Sequence, residues 1–191
     1  SGKDVGNIIS SKTLKGSETE KNLYKTFAGE SRAVVKYMLY AEQAKSECYM
    51  WLGEVFDNTA LNELAHARVV VRTFLRIIGT TLDNLKDSLA GETNEYENLY
   101  KEFQETAERE GFTQIAKFYK ELREVEESHA RAFKDFIDKL EDGTMFEGPV
   151  ESKWYCMNCG YIYEGSEAPA VCPLCGYPRG YFKQYCEITN L

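Results

Sequence analysis

Asn62-Glu63-Leu64-Ala65-His66-Ala67 and Glu126-Glu127-Ser128-His129 contain the only two histidines of this 191-residue chain, and each histidine follows a glutamate by three positions. On a helix, residues three apart share a face, so each pair can aim a carboxylate and an imidazole at one point. One Glu-x-x-His is a common accident of Glu-rich helices; two of them, using every histidine present, form a signal. The surroundings agree with it. Leu122, Val125, Phe133 and Phe136 stand at −7, −4, +4 and +7 from His129, and Phe56, Ala60, Ala67 and Val70 are similarly placed about Glu63, so both acids are predicted to point into a helical core.

Outward from these motifs, Ser17 to Leu140 has no proline, and glycine appears singly at positions 29, 53, 79, 91 and 111. Four long helices fit. The first runs from about Thr19 to Glu47 on a stripe of Leu23, Phe27, Val34, Tyr37 and Ala41, and the second from about Cys48 to Ile78 with Gly79 as its C-cap. The third runs from about Leu82 to Glu110, with Gly111 after it, and the fourth from about Thr113 to Leu140. Short joints between the first and second, and between the third and fourth, predict two antiparallel hairpins.

Glu30 lies on the inner stripe of the first helix, and Glu92 shares its stripe with Leu85, Leu89, Tyr96 and Leu99; Glu95 follows one turn on. With Glu63 and Glu126, these carboxylates would be costly to ionise in a core unless cations compensate them. One Glu from each of two helices and Glu-x-x-His from each of the other two is a ligand plan of dimetal four-helix proteins. Oxygen and imidazole ligands with positions left open suit iron or manganese better than a closed zinc site. Glu102, Glu105, Glu108 and Glu124, by contrast, read as solvated surface.

After Leu140 the texture changes. Glu141-Asp142-Gly143-Thr144 and Glu147-Gly148-Pro149-Val150 read as a linker, and Lys153 to Leu191 is rich in Tyr, Gly, Pro and Cys. Cys156-Met157-Asn158-Cys159-Gly160 and Cys172-Pro173-Leu174-Cys175-Gly176 are two Cys-x-x-Cys-Gly turns, which place four thiolates around one metal. Spacing alone favours zinc over iron. Trp154, Tyr155, Tyr161, Tyr163 and Phe182 read as a small core around it, or as a shield that keeps water from an iron centre. Cys48 and Cys186 are left over and read as reduced, partly buried thiols.

A net charge of −8 offers no footprint for nucleic acid or an anionic membrane, and no apolar run reaches the roughly 18 residues of a membrane span. The N-terminal Ser1-Gly2-Lys3-Asp4 lacks the apolar segment of a secretory leader, so the cytoplasm is the expected compartment.

The chain resembles the rubrerythrin family over nearly its whole length, from about Ser17 to Leu191. The resemblance implies a mainly α protein, with a four-helix ferritin-like bundle over residues 1–143 and a linker plus small rubredoxin-like β knuckle over 144–191. It implies two irons held by Glu30, Glu63, His66, Glu92, Glu95, Glu126 and His129, with Glu95 and His66 exchanging as ligands. It also implies one iron, replaceable by zinc, on Cys156, Cys159, Cys172 and Cys175. Tyr37, seven residues after Glu30, and Tyr100, eight after Glu92, match the family's hydroxyls beside the metals.

The activity so implied is peroxidase: hydrogen peroxide reduced to water in oxidative-stress defence, with electrons relayed through the rubredoxin-like centre. The chain has no dinucleotide fingerprint, so a separate NAD(P)H-dependent rubredoxin reductase is the expected donor, and a homodimer or larger assembly the expected form. Iron oxidation and storage would use the same helices but has no need of the knuckle. A non-catalytic bundle carrying a structural zinc ribbon is the third reading.

Overall fold

The computed structural model describes residues 13–185, so Cys186 and the start of the N-terminal extension lie outside the described residues. The chain is mainly helical with one small C-terminal sheet, as the sequence predicts, and it divides into two compact units between Gly79 and Thr80.

The first unit is a helical hairpin. Helix α1 (Glu18–Ser46) begins where the Ser17 hydroxyl accepts the Glu20 N–H, with Glu18 and Glu20 against the positive end of the helix dipole. Residues 47–49 turn the chain into α2 (Met50–Val69), which runs on into a π-helical turn at Val70–Phe74. Ala41, Ala44, Gly53, Ala60 and Ala67 are buried in the seam between the helices. A Cβ on Gly53 would stand 2.6 Å from Lys45 Cγ and 3.3 Å from the Ala41 carbonyl oxygen, so the two backbones approach closely there. The helix stops at Phe74, short of the predicted Gly79, because Arg76 takes the left-handed conformation (φ 52°).

In the second unit, a reciprocal Thr80–Asp83 capping box starts α3 (Thr81–Asn94). A π-helical turn at Glu95–Leu99 joins it to α4 (Tyr100–Arg109). Residues 110–112 lead to α5 (Thr113–Asp142), which packs against both α3 and α4 and ends on left-handed Gly143. The corner is a Schellman turn, with Gly111 at φ 81° and the Phe112 N–H on the Ala107 carbonyl at 2.9 Å. The α1–α2 corner has the same wiring, but Cys48 holds the left-handed position (φ 65°), with Tyr49 N–H on the Ala44 carbonyl at 2.8 Å. Cys48 is exposed, not partly buried as its residue type led us to expect.

Each hairpin buries the strip between its own helices. Val125 and Phe136, predicted to face inward around His129, are 48% and 41% exposed because they lie to the side of that strip. No helix among the described residues is long and apolar enough to cross a membrane.

The knuckle is an antiparallel sheet of β1 (Lys153–Cys156), β2 (Ile162–Glu164) and β3 (Phe182–Gln184), in the order β2-β1-β3. Alternation along β1 sends Trp154 and Cys156 into a core with Ala168, Cys172 and Phe182, onto which Phe146, Tyr161 and Tyr163 pack. The same alternation turns Tyr155 outward, where it stacks on Tyr185 instead of joining the core.

Candidate metal centres

Each helical hairpin brings three predicted ligands together. In the first, Glu30 of α1 meets Glu63 and His66 of α2; in the second, Glu92 of α3 meets Glu126 and His129 of α5. The two clusters are close copies. His66 Nδ1 lies 2.9 Å from Glu63 and 3.6 Å from Glu30, while His129 Nδ1 lies 2.9 Å from Glu126 and 3.5 Å from Glu92. In both, the i, i+3 spacing supplies the short contact, and in the first hairpin the small-residue seam brings the second acid within reach.

The acids are half-buried and the imidazoles largely exposed, with the Nδ1 edge of each ring facing the carboxylates. Crowding perturbs both single acids. The hydrogen bond with Glu63, then burial and the Glu63 charge, push the Glu30 carboxyl above its ordinary value, against the opposing pull of His66. Burial first, then Glu126 and Glu95, raise Glu92. One oxygen of Glu92, Oε2, is buried and has no hydrogen-bond partner among the described residues. Such an atom is expensive in a helical core and is the natural donor to a cation. The donor sets therefore fit divalent iron, with nitrogen and oxygen atoms lying within 4.8 Å of one another in each cluster.

Glu95 is not part of the second triad. It opens the π-helical turn, where its charge bears on Glu92 and its carboxylate interacts with the Tyr100 hydroxyl. Burial, then Glu95 and Glu126, raise Tyr100 above the usual phenol range, which keeps it a proton donor. Tyr37 lies two turns along α1 from Glu30, its ring stacked on Phe56 at 6.1 Å; Tyr100 has the matching partner in Tyr119 at 5.8 Å.

The four cysteines of the knuckle converge as predicted. The Sγ pairs Cys156–Cys175 and Cys159–Cys172 are 3.8 and 3.7 Å apart. That is far beyond a disulfide bond and matches the edge of a tetrahedron with metal–sulfur bonds of about 2.3 Å. The two turns repeat each other. Cys156 N–H donates to the Tyr161 carbonyl and Gly160 N–H to the Cys156 carbonyl, and Cys172, Tyr177 and Gly176 make the same pair of bonds. Gly160 and Gly176 take φ 81° and 73°, as these turns require.

Protons are shared unevenly among the thiols. The Asn158 side chain, then the Tyr177 N–H, lowers Cys175 to about 6. The Tyr161 N–H lowers Cys159, but burial and the neighbouring thiols outweigh it and push that thiol up to about 12. A bound metal replaces those protons and holds all four sulfurs as thiolates. Cys156 and Cys172 are buried, Cys175 is half-buried, and Cys159 alone is exposed, so the site meets solvent at Cys159.

Two features had no place in the sequence reading. One is the pair of π-helical turns; the other is Arg123, whose guanidinium spans from α5 to the Tyr96 carbonyl and to Gln104.

Comparison with known proteins agrees with this chemistry. The family model "Rubrerythrin" matches residues 21–82 and 83–158, and "Rubrerythrin, rubredoxin-like domain" matches residues 154–183. Among similar proteins, rubrerythrin of Porphyromonas gingivalis is 40% identical over 90% of this chain and 92% of its own length. Rubrerythrin of Nitratidesulfovibrio vulgaris is 37% identical over 90% and 96%, and rubrerythrin-1 of Clostridium acetobutylicum is 36% identical over 92% and 98%.

Proposed function

The chain belongs to the rubrerythrin family, and from that premise we propose that it is a non-haem di-iron peroxidase, reducing hydrogen peroxide to water with electrons relayed through the four-cysteine iron. The observation that supports this most is the coexistence in one chain of two matching Glu/Glu/His clusters and a tetrahedral thiolate cage. Residues 1–143 form the di-iron part and 144–191 the electron-donor part.

Glu30, Glu63 and His66 would hold one iron and Glu92, Glu126 and His129 the other, each histidine through Nδ1; Glu95 would be the seventh ligand, the one that exchanges with His66. When bound, the two ferrous ions supply one electron each and the Lewis acidity for cleaving the O–O bond, so that one peroxide, two electrons and two protons become two waters. Tyr100, kept protonated by burial and by Glu95, is poised to deliver a proton at its Oη and to steady the Glu95 carboxylate. Tyr37 holds the corresponding position on α1, two turns along from Glu30 and packed on Phe56. Cys159, the exposed ligand of the cage, is the edge at which electrons enter and leave. A separate NAD(P)H-dependent rubredoxin reductase feeds that edge; the working form is a homodimer or larger assembly in the cytoplasm, serving defence against peroxide.

Stopped-flow mixing of the reduced, iron-loaded protein with peroxide and, separately, with dioxygen tests the reading. Reoxidation by peroxide is expected to be the faster. Reoxidation by dioxygen at equal or greater speed would refute the peroxidase assignment. Cys159→Ser should abolish NAD(P)H-driven turnover yet spare one round of peroxide reduction; loss of both would refute the division of labour.

A further inference from the structure

The two hairpins carry the same ligand plan on unequal helices. Tyr37 follows Glu30 by seven residues on unbroken α1, whereas Tyr100 follows Glu92 by eight, across the π-helical turn. At about 100° per residue, seven residues bring Tyr37 to within about 20° of the azimuth of Glu30, and eight would leave Tyr100 about 80° away from Glu92. The π turn absorbs one residue of the ladder, because the Tyr100 N–H bonds to the Glu95 carbonyl five positions back. That removes about 100° and returns Tyr100 to within about 20° of Glu92. The second hairpin thus contains one inserted residue, taken up as a bulge, and the bulge begins with the additional acid, Glu95.

A bulge has a cost. When the ladder returns from five-residue to four-residue spacing, one carbonyl is skipped and needs a donor from elsewhere. Half-buried Arg123 supplies it: Nε donates to the Tyr96 carbonyl at 2.8 Å, and Nη1 donates to Gln104 Oε1 on α4 at 2.9 Å. Arg123 precedes Glu126 by three residues on α5, so one side chain ties the bulge, α4 and the helix that carries Glu126 and His129. The first hairpin provides the comparison. The residue three before Glu63 is Ala60, buried in the seam, beside a helix that has no bulge.

We propose that Arg123 is a positioning residue: it holds Glu95–Leu99 in the π form and thereby keeps Glu95 and Tyr100 in phase with Glu92 and Glu126. The bulge and its support stand on the geometry alone; only their consequence for peroxide rests on the proposed function.

The test is Arg123→Ala in the full-length, iron-loaded protein, read by amide hydrogen exchange. Amides of residues 96–101 are expected to exchange at least tenfold faster, with those of α1 and α2 unchanged. Millimolar ethylguanidinium should restore protection to the Ala variant, and Arg123→Lys, with one donor centre instead of a fork, should give intermediate protection. In the same samples the visible spectrum of the four-cysteine iron should stay as in the parent protein, while single-turnover reoxidation by peroxide slows at least tenfold and recovers with ethylguanidinium. Wild-type protection at residues 96–101 in Arg123→Ala would overturn the proposal, as would a loss spread over the whole chain that ethylguanidinium does not reverse. If protection falls and is rescued but the peroxide rate never changes, the positioning role is refuted. If the parent protein itself fails to react with peroxide, the peroxidase reading falls, and the exchange data still decide whether Arg123 holds the bulge.

Discussion

Replacing Cys48 by glycine should stabilise the protein. Cys48 occupies the left-handed corner position of α1–α2 at φ 65°, whereas Gly111 fills the same position in the other hairpin at φ 81°. A residue with a Cβ in that conformation costs about 1–2 kcal/mol, and glycine gives back about 0.5–1 kcal/mol through the extra freedom of its unfolded chain. The net expectation is a gain of about 0.5–1 kcal/mol. Nothing else should be lost, because the Cys48 side chain is exposed and the corner is held by the backbone bonds Cys48 N–H to Lys45 carbonyl and Tyr49 N–H to Ala44 carbonyl. Urea unfolding in reductant, followed by far-UV circular dichroism, measures the gain as a higher midpoint; thermal melting should move up by about 1–4 °C. Cys48→Ala, which keeps the Cβ, should change stability by less than about 0.5 kcal/mol. Gly111→Ala, where an added Cβ meets nothing within 4 Å, should cost about 1 kcal/mol from backbone conformation alone. If Cys48→Gly were neutral or destabilising while Gly111→Ala behaved as expected, the equivalence of the two corners would be wrong.

Two further outcomes follow from the sites. In the metal-free knuckle, ultraviolet thiolate absorbance should show one thiolate forming near pH 6 and the last proton leaving only near 12. Cys175, being lowered, contributes stability that is present above its unfolded value near 9 and is lost as pH falls through 6. Cys159, being raised, contributes stability that is present below 9 and is lost as pH rises through 12; a metal-free protein without these opposed trends in urea midpoint would contradict the thiol assignments. Glu92→Gln removes a carboxyl whose ionisation is disfavoured by burial and by Glu126, so it should raise the thermal midpoint of the metal-free protein while weakening iron binding at least tenfold. Equal iron content with the parent, by metal analysis after dialysis, would remove Glu92 from the ligand set.

Much of this was legible in the sequence because the ligands are tied to periodicity. His66 and His129 each had one glutamate at a spacing that shares a helical face, and the four cysteines came as two identical turns. The bulge was harder to see for a physical reason. Leu85, Leu89, Tyr96 and Leu99 form an acceptable helical stripe with or without one skipped residue, so hydrophobic pattern alone cannot register the insertion. Arg123 likewise looks like any surface charge on an amphipathic helix, and Arg76 gives no hint that it, and not Gly79, takes the left-handed place after α2. Tyr155 was misplaced because the period of two in β1, which turns it outward, spans only four residues. The signal that would have found the bulge lies in comparing the two motifs with each other: seven residues from Glu30 to Tyr37 against eight from Glu92 to Tyr100, and Ala60 against Arg123 at the same step before Glu-x-x-His. The extra residue and the arginine belong to the same hairpin, the one that also carries the extra acid. That coincidence ties the asymmetry to Glu95: α1, which carries Glu30, stays an unbroken helix, whereas the helix that carries Glu92 takes up a bulge, braced by the half-buried Arg123, and presents one more carboxylate.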